Sequence, residues 1–244
     1  MNFHKSCLAV LLFATMIAVG SASAASCSNA TLNGVWGFTF AGSGNGTVAT
    51  TVGQISFDGK GSESGSQTQS VGGTIKTSTF SGTYSVAKNC TGTVVGSDGS
   101  TTNFVVDDSN KGAQIISTTS GLVYSGFSLA QGTVTCGLTG KKQTLAANLT
   151  GTINGIGQVA AVGQLILDGK GNVSGGGTFS LAGTILPGTI SGTYTEGANC
   201  TGTTQITPQG LSTLNFSFVV VNGGKEILLI ETDSGTTVAG TMQQ

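Results

Sequence analysis

The chain has 244 residues, nine basic and ten acidic side chains, no arginine and a formal net charge of −1. So few, balanced charges exclude a nucleic-acid partner, which needs a basic face to displace counterions, and electrostatic attachment to anionic membranes. With 41 glycines, two prolines and an apolar fraction of 38%, the chain is no charged, disordered tail; its Gly, Thr, Ser and Val predict many short strands joined by tight turns.

Residues 1–24 read as a secretory signal peptide. His4 and Lys5 begin it, an apolar run from Leu8 to Val19 follows, and Ala22-Ser23-Ala24 supplies a small-residue cleavage site. The run is too short to anchor a chain in a bilayer, and no later stretch approaches a transmembrane helix. The expected product is secreted or periplasmic. Its only histidine, His4, leaves with the peptide. Ser-His-Asp and Cys-His catalysis are thereby excluded, as are histidine-based metal sites. No cofactor and no catalytic residue is expected.

The strongest signal is an internal repeat. Val52 to Gly61 recurs as Val162 to Gly171, Ser81-Gly82-Thr83-Tyr84 as Ser191-Gly192-Thr193-Tyr194, and Asn89 to Thr93 as Asn199 to Thr203. All three pairs share one offset of 110 residues. Thr118 to Gly121 then matches Thr232 to Gly235 at 114, so a small insertion intervenes. A period this long is a duplicated domain rather than a solenoid unit. The predicted domains are 25–130 and 131–244, joined through Gln131 to Thr135.

In the second copy, strands are predicted over Ala146–Thr152, Val159–Leu167, Gly176–Ala182, Gly188–Thr195, Gly202–Thr207, Leu214–Val221, Glu226–Glu231 and Thr237–Met242. Gly, Asn, Asp or Pro bounds each one, and Asp168-Gly169 and Asn222-Gly223 are hairpin signals. The fold class is all-β: two tandem antiparallel, eight-stranded up-and-down barrels, each closed by pairing its last strand with its first. Two β-sandwiches are the alternative. Val219, Val221 and the Ile227–Ile230 run are apolar on the outward face as well, so this hairpin is expected to pack against the other domain.

Cys27, Cys90, Cys136 and Cys200 remain after processing. Equivalent copies make equivalent bonds, which predicts Cys27–Cys90 and Cys136–Cys200. A lipid-modified Cys27 is the rival reading. Glu226, Glu231 and Asp233 are read as solvated rim charges, the two glutamates pointing to opposite faces. Asp58 to Gly61 and Asp168 to Gly171 are read as hairpin turns with exposed Lys60 and Lys170, since neither EF-hand ligands nor a following helix is present. Trp36, Phe38 and Phe40 alternate as a core stripe. Trp36, Phe38, Tyr84, Tyr194, Phe216 and Phe218 are the barrel-interior candidates for contacting a ligand.

These motifs resemble a group of uncharacterised exported bacterial proteins. The shared features are a Gly-x-Trp/Tyr-x-Phe strand (Gly34 to Phe38), Asp-Gly-x-Gly hairpins (Asp58, Asp168), Gly-Thr-Tyr strands running into Cys-Thr-Gly-Thr (Gly82 to Thr93, Gly192 to Thr203), and closing strands Gly223 to Ile227 and Val238 to Thr241. Copy 1 departs at Asn110-Lys111-Gly112, and copy 2 lacks the aromatic first strand. In outline the group is similar to calycin-like barrels, including the allene oxide cyclase type, which implies a fold and no activity. Three functions are weighed: a binding module for a small apolar ligand, a structural or adhesive envelope protein, and a cyclase or isomerase acting by shape.

Overall fold

The computed structural model describes residues 26–107, 109–132 and 136–244. The expected signal peptide and residues 133–135 of the predicted joint lie outside the described residues.

A short 3-10 turn (Asn29–Leu32) leads into β1 (Gly34–Gly44), β2 (Thr47–Phe57), β3 (Ser62–Val71) and β4 (Thr74–Val86). These continue as β5 (Thr91–Gly96), β6 (Thr101–Val106), β7 (Gly112–Ser117) and β8 (Leu122–Ala130). The second unit runs through β9 (Gln143–Ile153), β10 (Gly157–Leu167), β11 (Asn172–Leu181), β12 (Thr184–Glu196), β13 (Thr201–Pro208), β14 (Leu214–Val221), β15 (Glu226–Glu231) and β16 (Thr236–Gln243). Sequential neighbours pair antiparallel, β8 returns to β1, and β16 returns to β9. Two closed eight-stranded barrels result, with no free sheet edge in either; the sandwich alternative falls.

β11 begins four residues earlier than its glycine-rich start predicted. The Asp168 carboxylate accepts bonds from the Lys170 and Asn172 amides at 2.7 and 2.9 Å, so the turn is finished by Asn172 and pairing can begin there. Asp58 caps the equivalent turn of the first barrel. The Asn172 side chain pulls the Asp168 carboxyl down to about 2. Both loops are therefore hairpin turns, and Lys60 and Lys170 are exposed.

Several interior glycines face aromatic rings. Phe38 lies directly across from Gly53, and a Cβ at position 53 would fall 2.5 Å from the Phe38 ring. The ring occupies the space that any side chain there would need, so this part of the glycine content is packing rather than flexibility.

The disulfides pair as the repeat predicted, Cys27 with Cys90 and Cys136 with Cys200. Each ties the segment ahead of its barrel's first strand to the turn before the fifth.

The outward face of β14 and β15 meets the first barrel, as its two-sided apolarity predicted. Val219, Val221, Leu228 and Ile230 pack with Val52 of β2 and with Phe127 and Leu129 of β8. Gln54 donates to Gln131 at 2.9 Å, and Gln131 donates to the Val220 carbonyl at the same distance. Ser70 donates to the Thr236 carbonyl, so the polar groups of this contact are largely satisfied.

Candidate functional site

The interiors of the two barrels differ although their strands match. The first encloses a cavity of about 390 Å³. The second has a packed core with a void of only about 10 Å³.

Register explains the difference position by position. Glu63, opposite Phe57, corresponds to Val173, opposite Leu167. Thr102 corresponds to Phe216, Gly96 to Ile206, Gln69 to Phe179 and Ser128 to Met242. In each case a bulky apolar group of the second barrel is replaced by a smaller or polar one. Phe179, Ile206, Phe216 and Met242 all belong to the second barrel's core. One wall reverses the trend, because Trp36, Phe38 and Phe40 stand where that barrel has Leu145, Ala147 and Leu149.

The insertion inferred from the shift in offset sits at the cavity's rim. Val95 and Thr101 of β5 and β6 are joined by five residues, whereas Gln205 and Asn215 of β13 and β14 are joined by nine. The shorter hairpin lets β5 pair with β4 from Gly82 onward, with one further bond from the Ser97 amide to the Ser81 carbonyl at 2.8 Å. In the second barrel pairing continues to Ile190 and Pro208, and the Gln209 amide still reaches the Thr189 carbonyl at 2.9 Å. The first barrel's wall is therefore lower beside β4, and Ser97, Asp98 and Ser100 line the cavity there.

The resulting chamber is lined by both aromatic and polar side chains. Phe38 meets Phe40 and Phe80 edge to face, with centroids 6.0 and 5.8 Å apart. Trp36 and Tyr84 both pack edge-on against Phe57. Thr51, Gln67, Gln69, Thr102, Ser117 and Ser128 supply polar groups, Thr51 directly across from Phe40 and Ser128 from Phe38.

Glu63 belongs to this lining, and the sequence reading passed over it. It is 5% exposed, and neither carboxylate oxygen has a hydrogen-bond partner. A Cβ at position 82 would lie 2.5 Å from its Oε1, so the carboxyl occupies the space over Gly82 of β4. Burial pushes its pKa up to about 7. The signal that locates it is the repeat itself, since Glu63 lies two residues past the matched Asp-Gly-Lys-Gly segments and faces a valine in the other copy.

The predicted candidates divide. Trp36 and Phe38 line the cavity. Tyr84 is buried among Phe57 and its neighbours and donates to the Asn29 carbonyl at 3.0 Å. Tyr194 donates to the Leu138 carbonyl at 2.9 Å in the matching place. Burial pushes both phenols up. Tyr194, Phe216 and Phe218 are constituents of the filled core.

The rim-charge reading of Glu226 and Glu231 is corrected, since both are buried. They do point to opposite faces. Glu226, on the outer face, accepts from the Gln243 amide at 2.8 Å. Glu231 points into the second barrel, where burial and the neighbouring Asp233 push its pKa up to about 7. Asp233 accepts from the Asn215 backbone and side-chain nitrogens at 2.7 and 2.6 Å. Glu226 and Glu231, on opposite faces of one strand, do not face each other. Among the described residues no three His, Cys, Asp or Glu side chains converge as a metal site, and no helix is long and apolar enough to cross a membrane.

No family model matches the chain, and no curated protein matches it. Among solved structures, kievitone hydratase from Nectria haematococca is similar with a TM-score of 0.31 and 6% identity, over 91% of this chain and 94% of the other. A protein assigned as AttH from Nitrosomonas europaea is similar with a TM-score of 0.29 and 7% identity, over 97% and 99% of the two chains. Likenesses this loose carry neither fold nor activity to this chain.

Proposed function

We propose that this is an exported binding protein whose first barrel accepts one small, largely apolar molecule and whose second barrel is its rigid support. The observation that carries the reading is the contrast between a chamber of about 390 Å³ and a void of about 10 Å³ in two copies of one fold. The packed copy demonstrates that this strand arrangement can be filled with side chains. In the open copy the bulky groups are absent, the hairpin at the rim is shorter, and the space is within the range of small-molecule sites. Two disulfides support an oxidising compartment outside the cytoplasm. Removal of residues 1–24 and domains of 25–130 and 131–244 complete the reading. The envelope-protein alternative rests on low charge, Gly, Thr, Ser and Asn richness, duplication and the disulfides, none of which distinguishes the two barrels.

Trp36 is the chain's single tryptophan and lines the chamber, so its fluorescence reports occupancy directly. Titration with small apolar compounds should shift or quench the emission. Thr102→Phe, which installs the residue of the second barrel at this position, should abolish the response while the protein stays folded. An identical response in T102F would overturn the assignment of the chamber as the site.

A further inference from the structure

We propose that the molecule held in the first barrel is an organic cation, an amine on an aromatic or aliphatic body, with Glu63 as its anchoring residue. This rests on the chamber being a binding site, and it names the chemistry that the chamber selects.

Three observations converge. First, Glu63 lines the chamber, and its carboxyl is almost wholly buried over Gly82 and receives no hydrogen bond on either oxygen. A carboxylate removed from water needs donors or a positive charge; the described protein groups supply none, and the chamber that Glu63 lines is the adjoining space from which one can come. Second, the other ionisable side chains of the lining, Asp98 and Tyr124, are also acidic, and none of the lining residues is a lysine. An anionic ligand would face two carboxyls and no cation. Third, Trp36, Phe38, Phe40 and Phe80 line the same space, and desolvated aromatic rings attract cations.

The second barrel shows that the fold does not require this carboxyl. At the matching position Val173 fills the space with no polar atom at all. A buried acid kept where a valine packs well is a feature of the chamber rather than of the barrel.

The proton balance gives the inference a signature. Below a pH of about 7 the empty site holds Glu63 protonated. Entry of an ammonium ion then forms a carboxylate–ammonium pair, and the carboxyl proton leaves for solvent. Above that pH the carboxylate is already present and no proton is released.

Phenylpropylamine, phenylpropanol and phenylpropionate share one skeleton and test the idea by calorimetry. The amine should bind roughly tenfold or more tighter than the alcohol at a pH of about 8, and the carboxylate weakest. Repeated at a pH of about 6 in buffers of different ionisation enthalpy, amine binding should release up to one proton. Glu63→Gln should remove both the amine's advantage and the proton release, leaving affinity for the alcohol within about threefold. Equal binding of amine and alcohol by the native protein, or an undiminished amine preference in E63Q, overturns the cation assignment while leaving the chamber a binding site. Binding of none of the three overturns the chamber reading and the cation inference with it.

Discussion

Glu63 and Val173 hold one register position in the two barrels, each between a bulky apolar residue of the preceding strand and a glycine of the next: Phe57 and Gly82 for the first, Leu167 and Gly192 for the second. The backbone that presents a carboxyl to an open chamber also presents an isopropyl group to a filled core. Exchanging them separates what the site needs from what the fold needs. Glu63→Val should remove an unpaired buried acid and raise stability by about 1–3 kcal/mol, an increase in Tm of several degrees for a chain of this size. Val173→Glu should do the reverse and more, because the second core has no space for solvent around a charge. Thermal melts of the two variants check this; an E63V protein less stable than the native one would show that Glu63 has a structural partner.

Two buried acids give the protein a falling stability in mildly acidic to neutral solution. Glu63 and Glu231 are both pushed from the ordinary 4.5 up to about 7. Between these values the folded chain binds protons that the unfolded chain has lost, so stability decreases as pH rises and levels off above about 7. The described chain has no histidine to confuse this window. The hydrogen-bonded Asp58, Asp98, Asp107 and Asp168 are all lowered, and their stabilisation is lost only in more acidic solution. Melting temperature measured across this range should therefore decline towards neutrality, and the E63Q/E231Q double variant should flatten the slope. A native profile that is flat or rising from pH 5 to 7 contradicts the burial of both groups.

The architecture was legible in the sequence because repetition constrains it twice over. Tyr84 and Tyr194, the two Cys-Thr-Gly-Thr turns, and the spacing of the cysteines each fixed a feature in both copies. Apolarity on both faces at Val219 and Leu228 located the contact between barrels, and the counterparts Val105 and Gln114 show the same strands without one, Val105 being 52% exposed. The chamber was harder to see. Strand patterns report which side chains point inward, and Phe38 and Phe218 look alike in that respect. Whether inward side chains fill the barrel depends on the sum of volumes across all eight strands and on the height of the wall, which local alternation does not encode. Glu231 was misjudged for a related reason. A charge at the end of a strand ordinarily reaches solvent, but this one is enclosed by the second barrel.

The two disulfides should contribute comparably. Each closes a loop of 63 or 64 residues, worth about 4 kcal/mol in the chain-entropy description. The Cys136→Ala/Cys200→Ala variant should lose about that much. In the Cys27→Ala/Cys90→Ala variant the loss should be similar, and the phenol-capped end near Tyr84 should loosen as well, since Asn29 lies two residues from Cys27 and accepts the Tyr84 hydroxyl bond. Denaturant titrations check the sizes; a loss below about 1 kcal/mol for either pair would mean that the unfolded chain is already compact there.

The contact between barrels can be tested at a position where only one copy makes it. Gly37 and Ala146 are equivalent, pairing with Gln54 and Gln164 in matching register. A Cβ at position 37 would meet Val221 Cγ1 at 2.4 Å and Val219 Cγ1 at 2.8 Å. Ala146 faces outward and is exposed. Gly37→Val therefore forces branched side chains together across a packed face and should cost about 1–3 kcal/mol, whereas Ala146→Val should change stability by no more than about 0.5 kcal/mol. Because Phe38 lines the chamber beside Gly37, displacement of β1 should also appear in the Trp36 emission of G37V and not in that of A146V. Equal effects of the two substitutions would mean that β14 and β15 do not rest on β1 in solution, and the second barrel would then lose its role as support for the chamber wall.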